Sequence, residues 1–170
     1  MWRSYIERVQ TAIFERHLSM WKRFSKRTRM VIVCAQQAAF DSGASVVEPE
    51  HLLLGIIGEY EQSIASLAIA KLDVDFSLLR AKVEELASEK PREELASGAK
   101  MILSPTAKTV IDLAFEEAKR VSSRSIDTGH LLVGLIQESK GIGALALASM
   151  GVECDSAQAA TVEIRAQTRE

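Results

Sequence analysis

The sequence predicts an all-α protein in which one helical unit occurs twice. The segment Glu50–Ile57 (EHLLLGII) returns 79 residues later as Gly129–Ile136 (GHLLVGLI), and a repeat of this kind indicates a duplicated structural unit. Aromatic residues make up only 5% of the chain, so Leu, Ile, Val and Ala must form the core, which favours closely packed helices. The alignment extends in both directions through Ser25 and Ser104, Val31 and Val110, Ala35 and Ala114, Val47 and Ile126, and, after one inserted residue near Gln62, Ile64 and Ile142.

An amphipathic helix is predicted ahead of the repeats, in residues 1–19. Apolar side chains lie close to one helical face at Tyr5, Ile6, Val9, Ile13 and Phe14. Charged residues interrupt this segment, so no signal peptide is expected. No apolar run approaches the ~20 residues of a membrane span, so no membrane association is expected either.

The first helix of each repeat is predicted to follow a serine N-cap, at Ser25 and at Ser104. Pro105 then occupies the first helical position in copy two. Apolar residues at helical spacing predict the buried faces, which are Val31, Cys34, Ala35 and Ala39 in copy one and Val110, Leu113, Ala114 and Ala118 in copy two. Each copy continues with a short extended stretch, residues 45–47 and 124–126.

The second helix of each repeat contains the repeated segment. It is predicted to open near Pro49 in copy one and to be capped by Thr128 in copy two. A glycine inside a helix costs ~1 kcal/mol relative to Ala, yet Gly55 and Gly134 occupy equivalent positions. We therefore expect a neighbouring helix to approach too closely for a side chain at both positions.

Two further helices complete each copy. The third, in residues 63–71 and 142–150, is rich in small side chains, and the fourth begins near Asp75 or Glu153. The segment Gly141–Ala146 (GIGALA) matches a Gly-x-Gly-x-x-Ala pattern. A helix precedes it, whereas a dinucleotide site requires a strand, so we interpret the segment as a turn between helices.

These elements divide the chain into four parts. The predicted boundaries are residues 1–19 for the N-terminal helix, 20–89 for the first repeat, 90–103 for a linker and 104–168 for the second repeat. Each repeat alone is small enough to be marginally stable. The two repeats are therefore expected to pack against each other as one domain.

Charge is distributed unevenly along the chain. Residues 1–30 carry eight basic and two acidic side chains, although the net charge of the whole chain is −2. This segment is a candidate contact surface for acidic partners, and a solvated helix face is the simpler alternative. Sequence-specific nucleic-acid binding would need several groove-facing side chains on one helix, and these cations are too dispersed.

The sequence lacks the motifs of catalysis and of cofactor binding. It contains no P-loop, no Gly-x-Ser-x-Gly elbow and no His-Glu-x-x-His helix. Cys34 and Cys154 form no Cys-x-x-Cys pair, which argues against a zinc site or a disulfide framework and fits a reducing, cytoplasmic location. His51 and His130 recur without a repeated nucleophile, so we interpret them as capping or core-edge residues. We predict no catalytic, cofactor-binding or metal-binding residues.

Three segments together resemble a known family. Met20–Arg29 (MWKRFSKRTR), Glu50–Gly55 (EHLLLG) and Leu103–Lys108 (LSPTAK) resemble, in this order and spacing, the N-terminal double-repeat domain of Clp ATPases of the ClpC and ClpA type. The resemblance implies an all-α fold of two four-helix repeats with pseudo-twofold symmetry. In that family the domain precedes an AAA+ motor and receives adaptors and substrates. Because the sequence ends before any motor, the chain resembles a free-standing relative of that domain.

The resemblance also implies candidate binding residues. Some ClpC-type domains recognise phosphoarginine with an acidic residue directly before the signature His, since a carboxylate can hold a guanidinium in a forked geometry. Glu50 matches this position, but Gly129 replaces the acid in copy two, so half of the paired site is missing. Trp21 matches an exposed aromatic residue of the family and could form a partner-binding patch with Phe24, for which a core role is the alternative. Arg23 is a further candidate anchor.

These observations favour a non-catalytic adaptor or regulator of a Clp-type AAA+ chaperone or protease. Such a protein would bind the ATPase, its protease core, or their substrates and adaptors. The alternative is a decoy that sequesters peptides or small molecules targeting Clp N-domains; a nucleic-acid-binding regulator is less favoured, and an enzyme least of all. The helix of residues 1–19 is a candidate for covering the Trp21 surface or for self-association.

Overall fold

The computed structural model describes residues 21–58, 62–89 and 102–168, and these ranges are mainly helical. Copy one contains the strand β1 (Val46–Val47) and copy two is preceded by the strand β2 (Ile102–Leu103). The helices within these ranges are α1 (Lys26–Asp41), α2 (Pro49–Gly58), α3 (Ile64–Lys71) and α4 (Phe76–Ser88) in copy one, and α5 (Pro105–Arg120), α6 (Thr128–Glu138), α7 (Ile142–Ser149) and α8 (Cys154–Gln167) in copy two.

This arrangement confirms the predicted all-α fold of two four-helix repeats. The predicted helix in residues 1–19 lies outside the described residues, as does most of the predicted linker, residues 90–103. The last two linker residues form β2, which the sequence analysis did not predict.

Short parallel pairings join the two copies. Val47 in β1 lies opposite Leu103 in β2, and Phe24 forms a parallel bridge with Ile126. The repeat offset of 79 residues makes Phe24 equivalent to Leu103 and Val47 equivalent to Ile126. The second pairing is therefore the first with the copies exchanged, which is what a pseudo-twofold axis between the repeats requires.

The serine caps follow directly after these pairings. The side chains of Ser25 and Ser104 accept the backbone N–H three residues later, at 3.1 Å and 3.0 Å, as predicted for N-caps. The backbone N–H of Ser25 donates to the carbonyl of Ile126 at 3.0 Å, and that of Ser104 donates to the carbonyl of Val47 at 2.9 Å. Each cap therefore fixes the start of a helix and the contact with the other copy.

Gly55 and Gly134 allow the first two helices of each copy to touch through their backbones. A Cβ atom on Gly134 would lie 2.6 Å from the carbonyl oxygen of Val110 and 2.8 Å from the nitrogen of Ala114. A Cβ atom on Gly55 would overlap the equivalent oxygen, that of Val31. The predicted reason for these glycines, a close helix approach, is confirmed.

The later helices cross between the copies. The fourth helix of each copy packs against the third helix of the other, so that α4 contacts α7 and α8 contacts α3. The signature helices α2 and α6 also contact each other. Their fully buried side chains are at the centre of one shared core, and these include Leu52, Leu53, Ile56, Leu131, Leu132 and Leu135.

The two fourth helices are held in different ways. The helix α4 buries Leu79 and Val83, whereas α8 buries only two alanines and a threonine. A two-point ion pair adds to this smaller apolar contact, because Arg165 in α8 donates to Asp127 through Nε (2.6 Å) and Nη2 (3.0 Å).

The start of α6 differs by one residue from the prediction. Asp127 is the N-cap, and Thr128 is the first helical residue. The hydroxyl of Thr128 instead accepts the backbone N–H of Ala65 at 3.1 Å, at the start of α3 in the other copy. The side chain for which the sequence pattern predicts a capping role therefore forms a hydrogen bond between the two copies instead.

The break between α6 and α7 is the predicted glycine turn. Gly141 is the N-cap of α7, and its N–H donates to a carboxylate oxygen of Glu138 at 2.7 Å. This confirms that the Gly-x-Gly-x-x-Ala pattern marks a helix junction. Across the described ranges, no single helix has the length and apolarity needed to cross a membrane; α6 and α7 reach them only as a pair, bent by 93°.

Candidate functional site

The repeated histidines close the first turns of the signature helices. In copy two, Nδ1 of His130 accepts the backbone N–H of Asp127 at 3.0 Å, and Oδ1 of Asp127 accepts the backbone N–H of His130 at 3.1 Å. In copy one, Nδ1 of His51 accepts the backbone N–H of Glu48 at 2.9 Å, and Nε2 lies 3.1 Å from the hydroxyl of Ser42. Both rings satisfy a backbone donor that a helix start leaves without a partner. The predicted capping role is confirmed.

His130 is fully buried and uncharged. Burial lowers the pKa of His130 to about 4, although the nearby carboxylates of Asp127 and Glu117 act in the opposite direction. Since Nδ1 accepts a hydrogen bond, the proton is assigned to Nε2, which has no hydrogen-bond partner among the described residues. The 3.1 Å approach of Nδ1 to Oδ1 of Asp127 is therefore not an ion pair.

In copy two, Gly129 stands at the position where the resemblance implies a ligand-binding acid, and the side chain of Arg165 lies beside it. A Cβ atom on Gly129 would lie 2.6 Å from Cγ2 of Ile64 and 3.1 Å from Nη2 of Arg165. Gly129 therefore makes room for α3 of the other copy and for the guanidinium that Asp127 holds. A side chain at this position would require Ile64 and the guanidinium of Arg165 to shift, so glycine fits the packing of copy two.

Glu50 lies in the first turn of α2, where a carboxylate interacts favourably with the helix dipole. Its exposed fraction is only 4%. The neighbouring Glu48 is half-buried and accepts the hydroxyl of Ser104, in the other copy, at 2.7 Å. The binding role of Glu50 stays a prediction, because a guanidinium could reach this buried carboxylate only after local rearrangement.

Trp21 and Phe24 belong to the core. Their exposed fractions are 7% and 4%, and their rings meet edge to face, with centroids 5.8 Å apart and an interplanar angle of 88°. The expectation of an exposed aromatic patch at Trp21 is therefore wrong, because the turn that leads into α1 folds this ring onto Phe24. For Phe24, the alternative of a core role is confirmed.

Arg23 is half-exposed and lies against copy two. Its guanidinium carbon is 4.7 Å from the centre of the Phe115 ring, and Nζ of Lys119 is 5.5 Å from the same centre. The backbone carbonyl of Arg23 accepts the N–H of Ile126 at 2.7 Å. Sequence reasoning missed Phe115 and Lys119, because their repeat equivalents, Gln36 and Phe40, are of different residue types.

Glu117 forms a buried polar cluster on the α5–α8 side of copy two. It accepts Nε and Nη2 of Arg120 at 2.7 Å and 2.6 Å, and the side-chain amide of Gln158 at 3.1 Å. These bonds, mainly the one from Arg120, lower the pKa of Glu117 against the effect of burial. Its carboxylate is therefore charged and satisfied, and it ties α8 to α5.

Cys154, on the same side, is half-buried. Burial raises the pKa of the Cys154 thiol, which keeps it in the weakly nucleophilic protonated form. In the described portion of the chain, no group of three or more His, Cys, Asp or Glu side chains could hold a metal ion.

The chain matches the family described as the Clp repeat (R) N-terminal domain over residues 23–150 and again over residues 102–169. It belongs to the Clp repeat N-terminal domain family. The family implied by the three sequence motifs is therefore confirmed. The two matched ranges overlap in copy two, as expected for a chain that contains the same repeat twice.

Relatives and solved structures agree with this assignment. The Clp repeat domain is 30% identical over 151 residues to a ClpA homolog of Porphyra purpurea, an ATP-binding subunit of the ATP-dependent Clp protease, and covers 18% of that protein with 89% of its own length. The N-terminal domain of ClpD from Arabidopsis thaliana has a TM-score of 0.68 and 25% identity, over 86% of this chain and 96% of that one. A ClpV N-domain in complex with a VipB peptide shares the fold, with a TM-score of 0.71 and 13% identity over 89% and 92%.

Proposed function

We propose that this Clp repeat domain is a non-catalytic protein-binding module that acts in the cytoplasm as an adaptor or regulator of a Clp-type AAA+ chaperone or protease. The observation that carries the proposal is the double repeat, in which the polar residues that recur in both copies cap helices or tie the copies together. His51 and His130 in particular use Nδ1 for backbone hydrogen bonds.

The binding partner is inferred to be a segment of another protein. A domain of the same fold, the ClpV N-domain, has been solved with a VipB peptide, which supports a peptide-sized partner. Among the residues that the sequence indicated, Arg23 has the best position for contact, because it is half-exposed while its ring partner Phe115 fixes its orientation. The buried side chains of Trp21 and Phe24 anchor the segment around Arg23 to the core.

A reconstituted degradation assay tests the proposal. The purified chain is titrated into a Clp ATPase, its peptidase and an unstructured client from the same organism, and the loss of client is followed together with binding of the chain to each component. An adaptor should bind the client or the ATPase and change the rate of client loss in a saturable way. No binding to ATPase, peptidase or client at micromolar concentration, with an unchanged rate, would contradict the proposal.

A further inference from the structure

We propose that one face of the domain, formed by residues 22–29 and 119–124, docks an acidic segment of a partner protein. We call this the cationic face. The inference rests on the proposed protein-binding function and adds to it the chemistry of the partner.

The two stretches of the cationic face carry no acidic residue. Residues 21–40 contain five cations and no acid, and residues 119–124 contain three cations and no acid. The side chains concerned are Lys22, Arg23, Lys26, Arg27, Arg29, Lys119, Arg120 and Arg124. Arg23 and Lys119 are far apart in the sequence, so no sequence window shows that both lie over the Phe115 ring.

Hydrogen bonds to one residue bring the two stretches together. Ile126 donates its N–H to the carbonyl of Arg23 at 2.7 Å, and its carbonyl accepts the N–H of Ser25 at 3.0 Å and the hydroxyl of Thr28 at 2.9 Å. The segment before α1 is therefore fixed beside the segment that follows α5. These contacts use backbone groups and the Thr28 hydroxyl, so they place the two stretches side by side without using a cationic side chain.

Phe115 orders two of the cations before any partner arrives. Arg23 and Lys119 both lie over its ring, at 4.7 Å and 5.5 Å from the centre. A side chain that is already ordered loses less conformational entropy on binding. The ion pair between Lys119 and Glu116 is exposed at both ends, so it competes only weakly with an incoming carboxylate.

The pseudo-twofold axis supplies an internal comparison. The equivalent face of the other copy replaces Arg23 with Ile102, Phe115 with Gln36, Lys119 with Phe40 and Arg124 with Ser45. Ile102 and Phe40 are 44% and 62% exposed. Among the cations of the cationic face, Arg29 alone keeps a cationic equivalent, Lys108. The same backbone junction is thus built on that side without cations at the positions of Arg23, Lys119 and Arg124, so it does not require cations at these three positions.

An acidic protein segment fits the cationic face better than nucleic acid does. Asp112 and Glu116 are exposed on α5 beside Phe115, and they would repel a continuous phosphate backbone. A peptide can place separate carboxylates on Arg23, Lys119 and Arg124 and avoid these acids, since a guanidinium accepts a carboxylate in a two-point, charge-assisted contact.

A peptide-binding titration tests the inference on the full chain. The probe is a fluorescein-labelled Glu/Asp-rich peptide, followed by fluorescence anisotropy. We expect R23Q/K119Q/R124Q to weaken binding by about ten-fold or more at low salt. The matched control, K71Q/R80Q/K108Q, removes the same charge from exposed positions elsewhere and should weaken binding less than about two-fold. Circular dichroism confirms that both variants are folded.

Each other outcome overturns the inference in a recognisable way. Equal losses in the two triple variants would show a response to net charge alone. Tighter binding of a single-stranded oligonucleotide than of the peptide would assign the face to nucleic acid. If the chain ignores the acidic peptide but binds a neutral unstructured client, the inference fails and the proposed function stands. If it binds neither, both fail.

Discussion

Replacing Gly134 with alanine should destabilise the domain, although alanine is the better helix former. Gly134 lies inside α6, and a Cβ there would meet the carbonyl oxygen of Val110 at 2.6 Å and the nitrogen of Ala114 at 2.8 Å. Both obstacles are backbone atoms of α5, so no side-chain rotation can relieve the collision. Instead α5 would have to move away from α6 by roughly 1 Å to reach an ordinary contact distance.

Two effects of opposite sign determine the size of the change. Removing a helical glycine stabilises by about 1 kcal/mol. Forcing an extra carbon into a close-packed helix contact costs about 1–3 kcal/mol, and the upper end applies where backbone must move. We therefore expect Gly134→Ala to lower the free energy of unfolding by about 1–2 kcal/mol, a large fraction of the stability of a small domain.

Gly58 provides the matched control for this experiment. It is the last residue of α2, and a Cβ atom there would have no neighbouring atom within 4 Å. Gly58→Ala should therefore leave stability unchanged or raise it by up to about 1 kcal/mol. Urea unfolding followed by circular dichroism at 222 nm measures both variants. A Gly134→Ala variant that is as stable as the parent chain, or more stable, would show that α5 and α6 do not approach this closely.

The remaining predictions concern the ionisable groups of copy two. The pKa of His130 is lowered from 6.5 to about 4 in the folded state. Between these two pH values the imidazole is therefore protonated in the unfolded chain but neutral in the folded one. The contribution of neutral His130 to the free energy of unfolding is therefore complete above pH 6.5. It is lost as the pH falls towards 4, which lowers the free energy of unfolding by up to about 3 kcal/mol. In urea unfolding, the parent chain should therefore show a steeper dependence of stability on pH than His130→Asn. Arg165→Gln leaves Asp127, which is 3% exposed, without its cation and should cost about 1–3 kcal/mol, whereas Glu163→Gln removes an exposed ion pair and should cost less than about 1 kcal/mol. Equal effects of these two substitutions would contradict the buried role of Asp127.

Several of the features that the sequence predicts correctly occur in both copies. Gly55 and Gly134, or Ser25 and Ser104, occur at equivalent positions, so a local rule could be checked twice. A serine directly before an apolar helical pattern predicts an N-cap, and a glycine within such a pattern predicts a close helix contact. Both predictions need only a few neighbouring residues, and both are confirmed.

The features that the sequence analysis missed depend on contacts made by the folded chain. The sequence pattern predicts a cap at Thr128, but its hydroxyl accepts the backbone N–H of Ala65 in the other repeat. The resemblance implies an exposed ring at Trp21, but this ring packs on Phe24. The internal use of Arg165 was equally hidden, because this residue lies 38 positions from Asp127 and no pattern in the helix α8 distinguishes it from a solvated charge.

Equilibrium titration of the full chain against a Clp ATPase and against an unstructured client, with and without the substitutions on the cationic face, tests the proposed protein-binding function. We expect saturable binding to at least one of the two proteins, and weaker binding when Arg23, Lys119 and Arg124 are neutralised. A chain that binds neither protein, or that instead turns over a small-molecule substrate, would contradict this function.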